Sequence, residues 1–331
     1  VIKGLIRGVA AFVVLMLSAG LALAAELRPL AVSSFPNAKA LPLWLGAENG
    51  VFARHGLKLD IDETVSSDAQ REKLATGKID IVQSAVDNAL AMILAGQDVI
   101  IVMGGESGMN DFIARANINS FADFRGKTLV VDAPNTAYAL QARKLLARAG
   151  LNLDADYKIK PIGNASLRFR ALMESDEYAG AVMNPPFSSE ALLRGMKSLG
   201  RMVDLLGPYQ AGGAFLLRGY AMAHPDMVEA YIAAYVESLR WIADPAHKPA
   251  VIEMLVRKLK LSPGVAEVTY GQVTDPGFGF TRDARLDLIG FRNMLETRAE
   301  TEGRDPRLEN IAAYVDESYY ARGLKAAGAQ P

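Results

Sequence analysis

An eight-residue segment occurs twice in this chain. Ala53-Arg54-His55-Gly56-Leu57-Lys58-Leu59-Asp60 returns as Ala147-Arg148-Ala149-Gly150-Leu151-Asn152-Leu153-Asp154, with six of eight positions identical. In both copies an apolar run of helical spacing meets a Gly, and alternating apolar residues follow. That pattern predicts a helix, a terminating residue with positive φ, then a strand. A second echo follows each copy. Arg71-Glu72-Lys73-Leu74 and Ile79 to Gln83 resemble Arg168 to Leu172 and Tyr178 to Asn184. Two similar α/β units constrain the chain to two similar lobes, and a cleft between lobes is where small ligands bind.

The rest of the pattern fits that constraint. Strands are predicted over 27–35, 57–61, 79–82 and 99–103, alternating with helices over 41–53, 67–75 and 87–94. Alternation at this spacing argues for a largely parallel, doubly wound sheet. A second set follows: strands over 127–131, 157–162 and 179–183, and helices over 137–149 and 167–173. Gly104 to Asn110 carries three Gly in five residues and reads as a crossing between lobes, or as an ordinary surface turn. Gly207 to Gly213 is a second candidate crossing. The expected division is 1–24 as a leader, 25–108 as the first part of lobe 1, 109–208 as lobe 2, and 209–331 as the return to lobe 1. This return segment reads as mostly helical.

The leader rests on Lys3 and Arg7, an apolar run from Val9 to Leu23, and Ala22-Leu23-Ala24. This is the arrangement of a secretory signal peptide, with cleavage near Ala24. Removing its two cations would take the formal net charge from −1 to −3. Neither balance provides a basic face for nucleic acid. The chain has no Cys, so disulfides, thiolate metal ligands and thiol nucleophiles are excluded. An exported chain of this kind stands on its cores alone, and a periplasmic location is expected.

Motifs for catalysis are sparse. The three His (His55, His224 and His247) are scattered, and no Walker loop, G-x-S-x-G elbow or G-x-G-x-x-G occurs. Glu174-Ser175-Asp176-Glu177 reads as a solvated helix end. Four strand-to-helix turns remain, and ligands of open α/β sheets sit at such turns. They contribute Ser34, Phe35 and Asn37; Gln83, Ser84 and Asn88; Asn135, Thr136 and Tyr138; and Asn184. Each turn sets uncharged polar groups beside a helix N-terminus, which favours an anion. The same residues taken singly also read as helix caps. Phe35, Trp44, Tyr138 and Phe187 are candidate walls, Trp44 equally a core residue. Asp87, Glu106 and Asp132 would suit an amine or ring nitrogen. Arg168 would pair with a ligand anion or with a neighbouring acid.

Several stretches resemble a known family. These are Leu41-Pro42-Leu43-Trp44-Leu45-Gly46-Ala47-Glu48-Asn49-Gly50-Val51-Phe52, then Gly56-Leu57, then Leu74 to Asp80. Phe124-Arg125-Gly126-Lys127-Thr128-Leu129 and Asn184-Pro185-Pro186 belong to the same set. Together they resemble NMT1/THI5-like substrate-binding proteins, which include the nitrate, sulfonate, taurine and pyrimidine binders of ABC importers. The resemblance implies a type II periplasmic-binding-protein fold, with two lobes closing on ligand about two hinge crossings. It also implies a small-molecule ligand, an ABC permease and its ATPase as partners, a monomer, and no cofactor. Carried over by position, the ligand residues are Asn37, Gln83, Ser84, Asn88, Thr136, Tyr138 and Asn184. One branch of the family makes a thiamine pyrimidine with a Cys-rich motif, which this chain lacks. The expectation is an exported solute-binding protein and not an enzyme. The alternatives are a periplasmic sensing domain or an enzyme on the same fold. Sulfonate, carboxylate and heteroaromatic ligands stay open.

Overall fold

The computed structural model describes residues 26–303 and 310–328; the expected signal peptide and its cleavage point lie outside them. Among the described residues ten strands form two five-stranded sheets. The first contains β1 (Arg28–Ser34), β2 (Leu57–Glu63), β3 (Ile81–Ala85), β4 (Val99–Glu106) and, from much later in the chain, β10 (Gly212–Leu217). The second contains β5 (Asp111–Ala114), β6 (Thr128–Val131), β7 (Lys158–Pro161), β8 (Tyr178–Met183) and β9 (Lys197–Arg201).

The strand orders are β2-β1-β3-β10-β4 and β7-β6-β8-β5-β9. In each sheet the first three strands are parallel, and the fourth runs antiparallel to both its neighbours. The sheets are therefore the same in order and polarity, and the sequence repeat marks equivalent places in them. Gly56 and Gly150 adopt φ of 74° and 76°, a conformation that glycine reaches without steric cost. The copies diverge after that point. Leu57 enters β2 at once, whereas Asp154 turns at φ 67° and β7 waits until Lys158. In the second copy a turn thus intervenes between the Gly and the strand, and β7 falls within the strand expected over 157–162.

Burial follows strand position. β4 reads VIIVMGGE and is buried throughout, as a strand covered on both faces must be. The edge strands β2 (LKLDIDE) and β7 (KIKP) carry charges along their length, which discourages pairing with further strands. The first lobe packs beneath the Pro225–Ala243 helix, whose Tyr231, Ile232, Tyr235 and Leu239 join Leu30, Val32, Ile81 and Val102 in one core. Phe112, Phe124, Leu129, Leu145 and Leu146 form the heart of the second lobe.

Three strands escape the sequence pattern: β5, β9 and β10. Correspondingly, the glycine-rich stretch from Gly104 is not all crossing. Gly104 and Gly105 belong to β4, where a Cβ on Gly104 would lie 2.4 Å from the Arg285 carbonyl oxygen. They are small because backbone approaches them; among the three only Gly108, at φ 101°, uses glycine's conformational freedom. The chain leaves the first sheet at Glu106, enters the second at Asp111, leaves it at Arg201 and returns at Gly212. Glu106 Oε2 accepts the Gly108 and Met109 amides at 2.7 and 2.8 Å. From the other connection, Ala211 N donates to the Glu106 carbonyl at 3.2 Å. The two passages between sheets are thereby tied to each other.

Candidate ligand-binding site

The C-terminal ends of β1, β3, β6 and β8 converge on a cleft with ≈ 730 Å³ of empty space, its open mouth included. Ser34, Phe35 and Asn37 line it after β1, and Gln83, Ser84 and Asn88 at and after β3. Thr136 and Tyr138 follow β6, and Asn184 follows β8. Nine of the ten turn residues singled out in the sequence thus lie on one wall or another. Asn135 does not line the cleft. Its Oδ1 accepts from Arg71 Nη2 at 3.2 Å and its carbonyl from Arg298 Nη2 at 2.9 Å, so it holds neighbouring elements together. Two candidate wall aromatics are absent as well. Trp44 lies in the core with Lys258 over its ring, and Phe187 packs on Phe169 at 6.0 Å between centroids.

Local geometry shows which of these groups are free. Asn37 Oδ1 caps the next short turn through Lys39 N at 2.9 Å. Asn88 is engaged on both sides, by Arg71 Nη1 at 2.8 Å and through Nδ2 to Ser67 Oγ at 3.3 Å. Gln83 receives the Tyr231 hydroxyl on Oε1 at 2.9 Å. Thr136 stands at the N-cap of the Ala137–Arg148 helix, yet its hydroxyl donates to the Ala133 carbonyl at 2.9 Å. The first amides of that helix therefore have no side-chain cap and Ala137 lies on the cleft wall, a ready position for an anion.

The charged groups decide the electrostatics. All three acids considered for a cationic ligand already have donors. Asp87 takes Arg298 at 2.6 and 3.2 Å. Glu106 takes Lys39 Nζ at 2.7 Å in addition to its two amides. Asp132 accepts the Ser67 hydroxyl and, at 3.3 Å, the Ser67 amide. Burial pulls the Lys39 ammonium down, but Glu106 and the Tyr138 hydroxyl outweigh it and hold it above its ordinary value.

Arg168 is different. It is 2% exposed and lines the cleft. Its Nη1 and Nη2 reach only carbonyls, Gly163 O at 2.5 Å and Val182 O at 3.4 Å. Its Nε has no partner, and among the described residues no carboxylate lies within ion-pair distance of it. Desolvation pulls its pKa down, opposed by the fields of Asp132 and of the Tyr138 ring that it faces at 5.5 Å. The second sequence echo pairs Arg168 with Arg71. Arg71 is bonded to Asn88, Asp68 and Asn135; Arg168 lacks any equivalent set.

The lobes also touch each other directly at the cleft. Besides Asp132 on Ser67, the Asn164 amide donates to Val65 O at 3.0 Å and Ala38 N to Pro185 O at 3.3 Å. Lys39, Ser67, Asn164, Tyr235 and Phe280 line the cleft and were not among the expected residues. Asn164 had a readable signal, since it caps the helix that follows β7. Tyr235 and Phe280 arrive from the C-terminal third, and no local pattern marks them.

This architecture, two α/β lobes of matched topology joined by two passages with a polar cleft between, is the type II periplasmic-binding-protein fold. Residues 23–256 match the NMT1-like family, and the chain belongs to it. The periplasmic nitrate-binding protein NrtA from Synechocystis PCC 6803 superposes with a TM-score of 0.75 at 13% identity, covering 91% of this chain and 89% of that one. The alkanesulfonate-binding protein SsuA from Xanthomonas axonopodis pv. citri, bound to MOPS, gives 0.72 at 18% identity, covering 88% and 99%. In sequence, the bicarbonate transport ATP-binding protein CmpC of Synechocystis sp. is 23% identical over 257 residues, 71% of this chain. The chain spans 38% of the length of that relative.

Proposed function

We propose that this protein is the solute-binding component of an ABC import system and captures a small anion in its interlobe cleft. The carrying observation is Arg168, a buried guanidinium without an ion-pair partner on the wall of a cleft whose acids are all engaged. Burying an unpaired charge is costly, and an incoming anion relieves that cost. The uncapped helix N-terminus at Ala137 points to the same sign of charge. A heteroaromatic base would meet no free carboxylate here, so sulfonates, carboxylates and inorganic oxyanions are the favoured class.

In this reading the protein acts in the periplasm after loss of its leader and presents the closed, loaded form to a permease and its ATPase. Among the described residues no helix is long and apolar enough to cross a membrane, which fits a chain that works beside a permease. Binding, not turnover, is the proposed activity. His55 is hydrogen-bonded to Glu237 at 2.9 Å, and His247 stacks on Trp241 with centroids 4.0 Å apart; neither lines the cleft.

The test is a thermal-shift screen of sulfonates, carboxylates, oxyanions, amines and pyrimidines, followed by calorimetry and mass analysis of the recovered ligand. Anion hits recovered unchanged support the reading. Selective binding of amines or neutral heterocycles overturns the anion assignment, and product formation overturns the transport assignment.

A further inference from the structure

Two groups on opposite walls of the cleft present lone pairs to a ligand: Ser84, which can do nothing else, and Asn184, through an amide oxygen that has no partner. The polarity of the first is fixed by a chain of hydrogen bonds that starts at a carboxylate. Asp62, ion-paired with Lys73 at 2.5 Å, is an acceptor. Ser33 Oγ lies 2.9 Å from Asp62 Oδ2 and so gives its only hydrogen there. Ser33 must then accept from Gln70 Nε2 at 3.1 Å, which turns Gln70 Oε1 toward Ser84. Ser84 Oγ donates to that oxygen at 2.7 Å. Its hydrogen is spent, and on the cleft wall Ser84 can only accept.

The second group is Asn184, 1% exposed at the end of β8. Its Nδ2 donates to Pro185 O at 3.3 Å, and its Oδ1 is buried without a partner. Turning the amide over would set Oδ1 against the Pro185 carbonyl, two acceptors face to face, so the neighbouring carbonyl fixes the orientation. Arg168 reaches the same strand end, with Nη2 on Val182 O.

Among the described residues the cleft-lining side chains thus include a buried donor without a partner, Arg168 Nε, and two oxygens whose acceptor role is fixed, Ser84 Oγ and Asn184 Oδ1. An anion with acceptors alone satisfies the first and sets lone pairs against the others. Leaving a buried acceptor unpaired is costly, and a site built to bond an O–H or N–H discriminates strongly against analogues lacking it. Resting on the anion reading above, we infer that the ligand is a small oxyanion carrying its own O–H or N–H donor next to the charged group. Hydrogencarbonate, hydroxy acids and amino acids have this character; nitrate and simple sulfonates do not.

Calorimetry on the purified chain with two matched pairs tests this: hydrogencarbonate against nitrate, and glycolate against acetate. Each pair keeps charge and approximate shape while removing the donor. The donor-bearing member should bind at least tenfold tighter, about 1.4 kcal/mol, in at least one pair. In Asn184→Ala combined with Ser84→Ala that advantage should shrink to less than threefold, with circular dichroism checking that the variant folds. The comparison on the unaltered chain stands even if the variant does not fold. Equal or tighter binding of nitrate and acetate overturns the inference while leaving the anion reading intact. Failure of all four, alongside binding of an amine or neutral heterocycle, overturns the anion reading itself.

Discussion

Arg298 grips Asp87 through two hydrogen bonds, Nη2 to Oδ2 at 2.6 Å and Nε to Oδ1 at 3.2 Å, with both side chains buried. The pair joins the Leu288–Glu302 helix to the helix that follows β3, and a further bond from Arg298 to the Asn135 carbonyl extends the link to the second lobe. Burial pulls the guanidinium's pKa down, but the Asp87 carboxylate outweighs it and raises the value above the ordinary arginine range.

Removing one partner of such a pair leaves the other charged and desolvated. Arg298→Met should cost about 3–5 kcal/mol of stability, read by denaturant unfolding. Arg298→Met combined with Asp87→Leu should recover most of the loss. A single variant as stable as the parent would show that the pair contributes nothing net.

For Arg168 the expected signs are reversed. Arg168→Met removes a buried cation that has no counter-ion, so the ligand-free protein should melt at the same temperature or higher. Affinity for the anionic ligand should fall by about a hundredfold, in line with a lost charged hydrogen bond of about 1.5–3 kcal/mol. A large drop in melting temperature with unchanged affinity would make Arg168 a structural residue.

Direct bonding between lobes should bias the empty protein toward closure. Asp132 contacts the Ser67 hydroxyl and amide across the cleft, and such charge-assisted bonds are worth about 1.5–3 kcal/mol. Asp132→Ala should therefore enlarge the radius of gyration of the ligand-free protein in small-angle scattering, and excess ligand should bring it back. Identical scattering from parent and variant would rule out this contact as a latch.

Asp111 supplies a pH dependence. It opens β5 at the passage between sheets, and burial pushes its carboxyl up to about 6, opposed by the Ser198 hydroxyl and Arg201 and aided by Asp204. The unfolded chain ionises this group near 4, so the folded state is the one that resists losing the proton. Its contribution to stability is present below about pH 4 and is lost as the pH rises through about 6. The shift corresponds to no more than about 3 kcal/mol. Asp111→Asn should raise the melting temperature at pH 7 and leave it little changed at pH 4. An equal effect at both pH values would disprove the titration.

How much of this was readable in advance depended on whether the signal was local. Gln83, Ser84, Thr136 and Asn184 sit where a strand's apolar run yields to a polar turn, and the sequence displays that directly. Arg168 was visible as a repeated arginine, but its lack of a partner is a property of three-dimensional neighbours. Lys197–Arg201 (KSLGR) is polar and half exposed, so no apolar alternation announced β9. Gly212–Leu217 (GGAFLL) hid β10 behind glycines that read as a turn. Those glycines admit a close approach, since a Cβ on Gly213 would lie 2.5 Å from the Met103 carbonyl oxygen. Tyr235 and Phe280 reach the cleft only because the C-terminal third folds back over the first lobe.

The position of β10 also governs the order in which the molecule can be assembled. β3 and β4 are consecutive in the chain yet are not neighbours, because β10 separates them. A chain emerging from its N-terminus reaches Glu106 with β4 still lacking its sheet partner. The second sheet, made wholly from residues 111–201, can be completed before the first. The second lobe thus becomes foldable first, and the first lobe keeps an open slot until Leu217 has emerged. That slot is the interval in which a holding chaperone would have its opportunity.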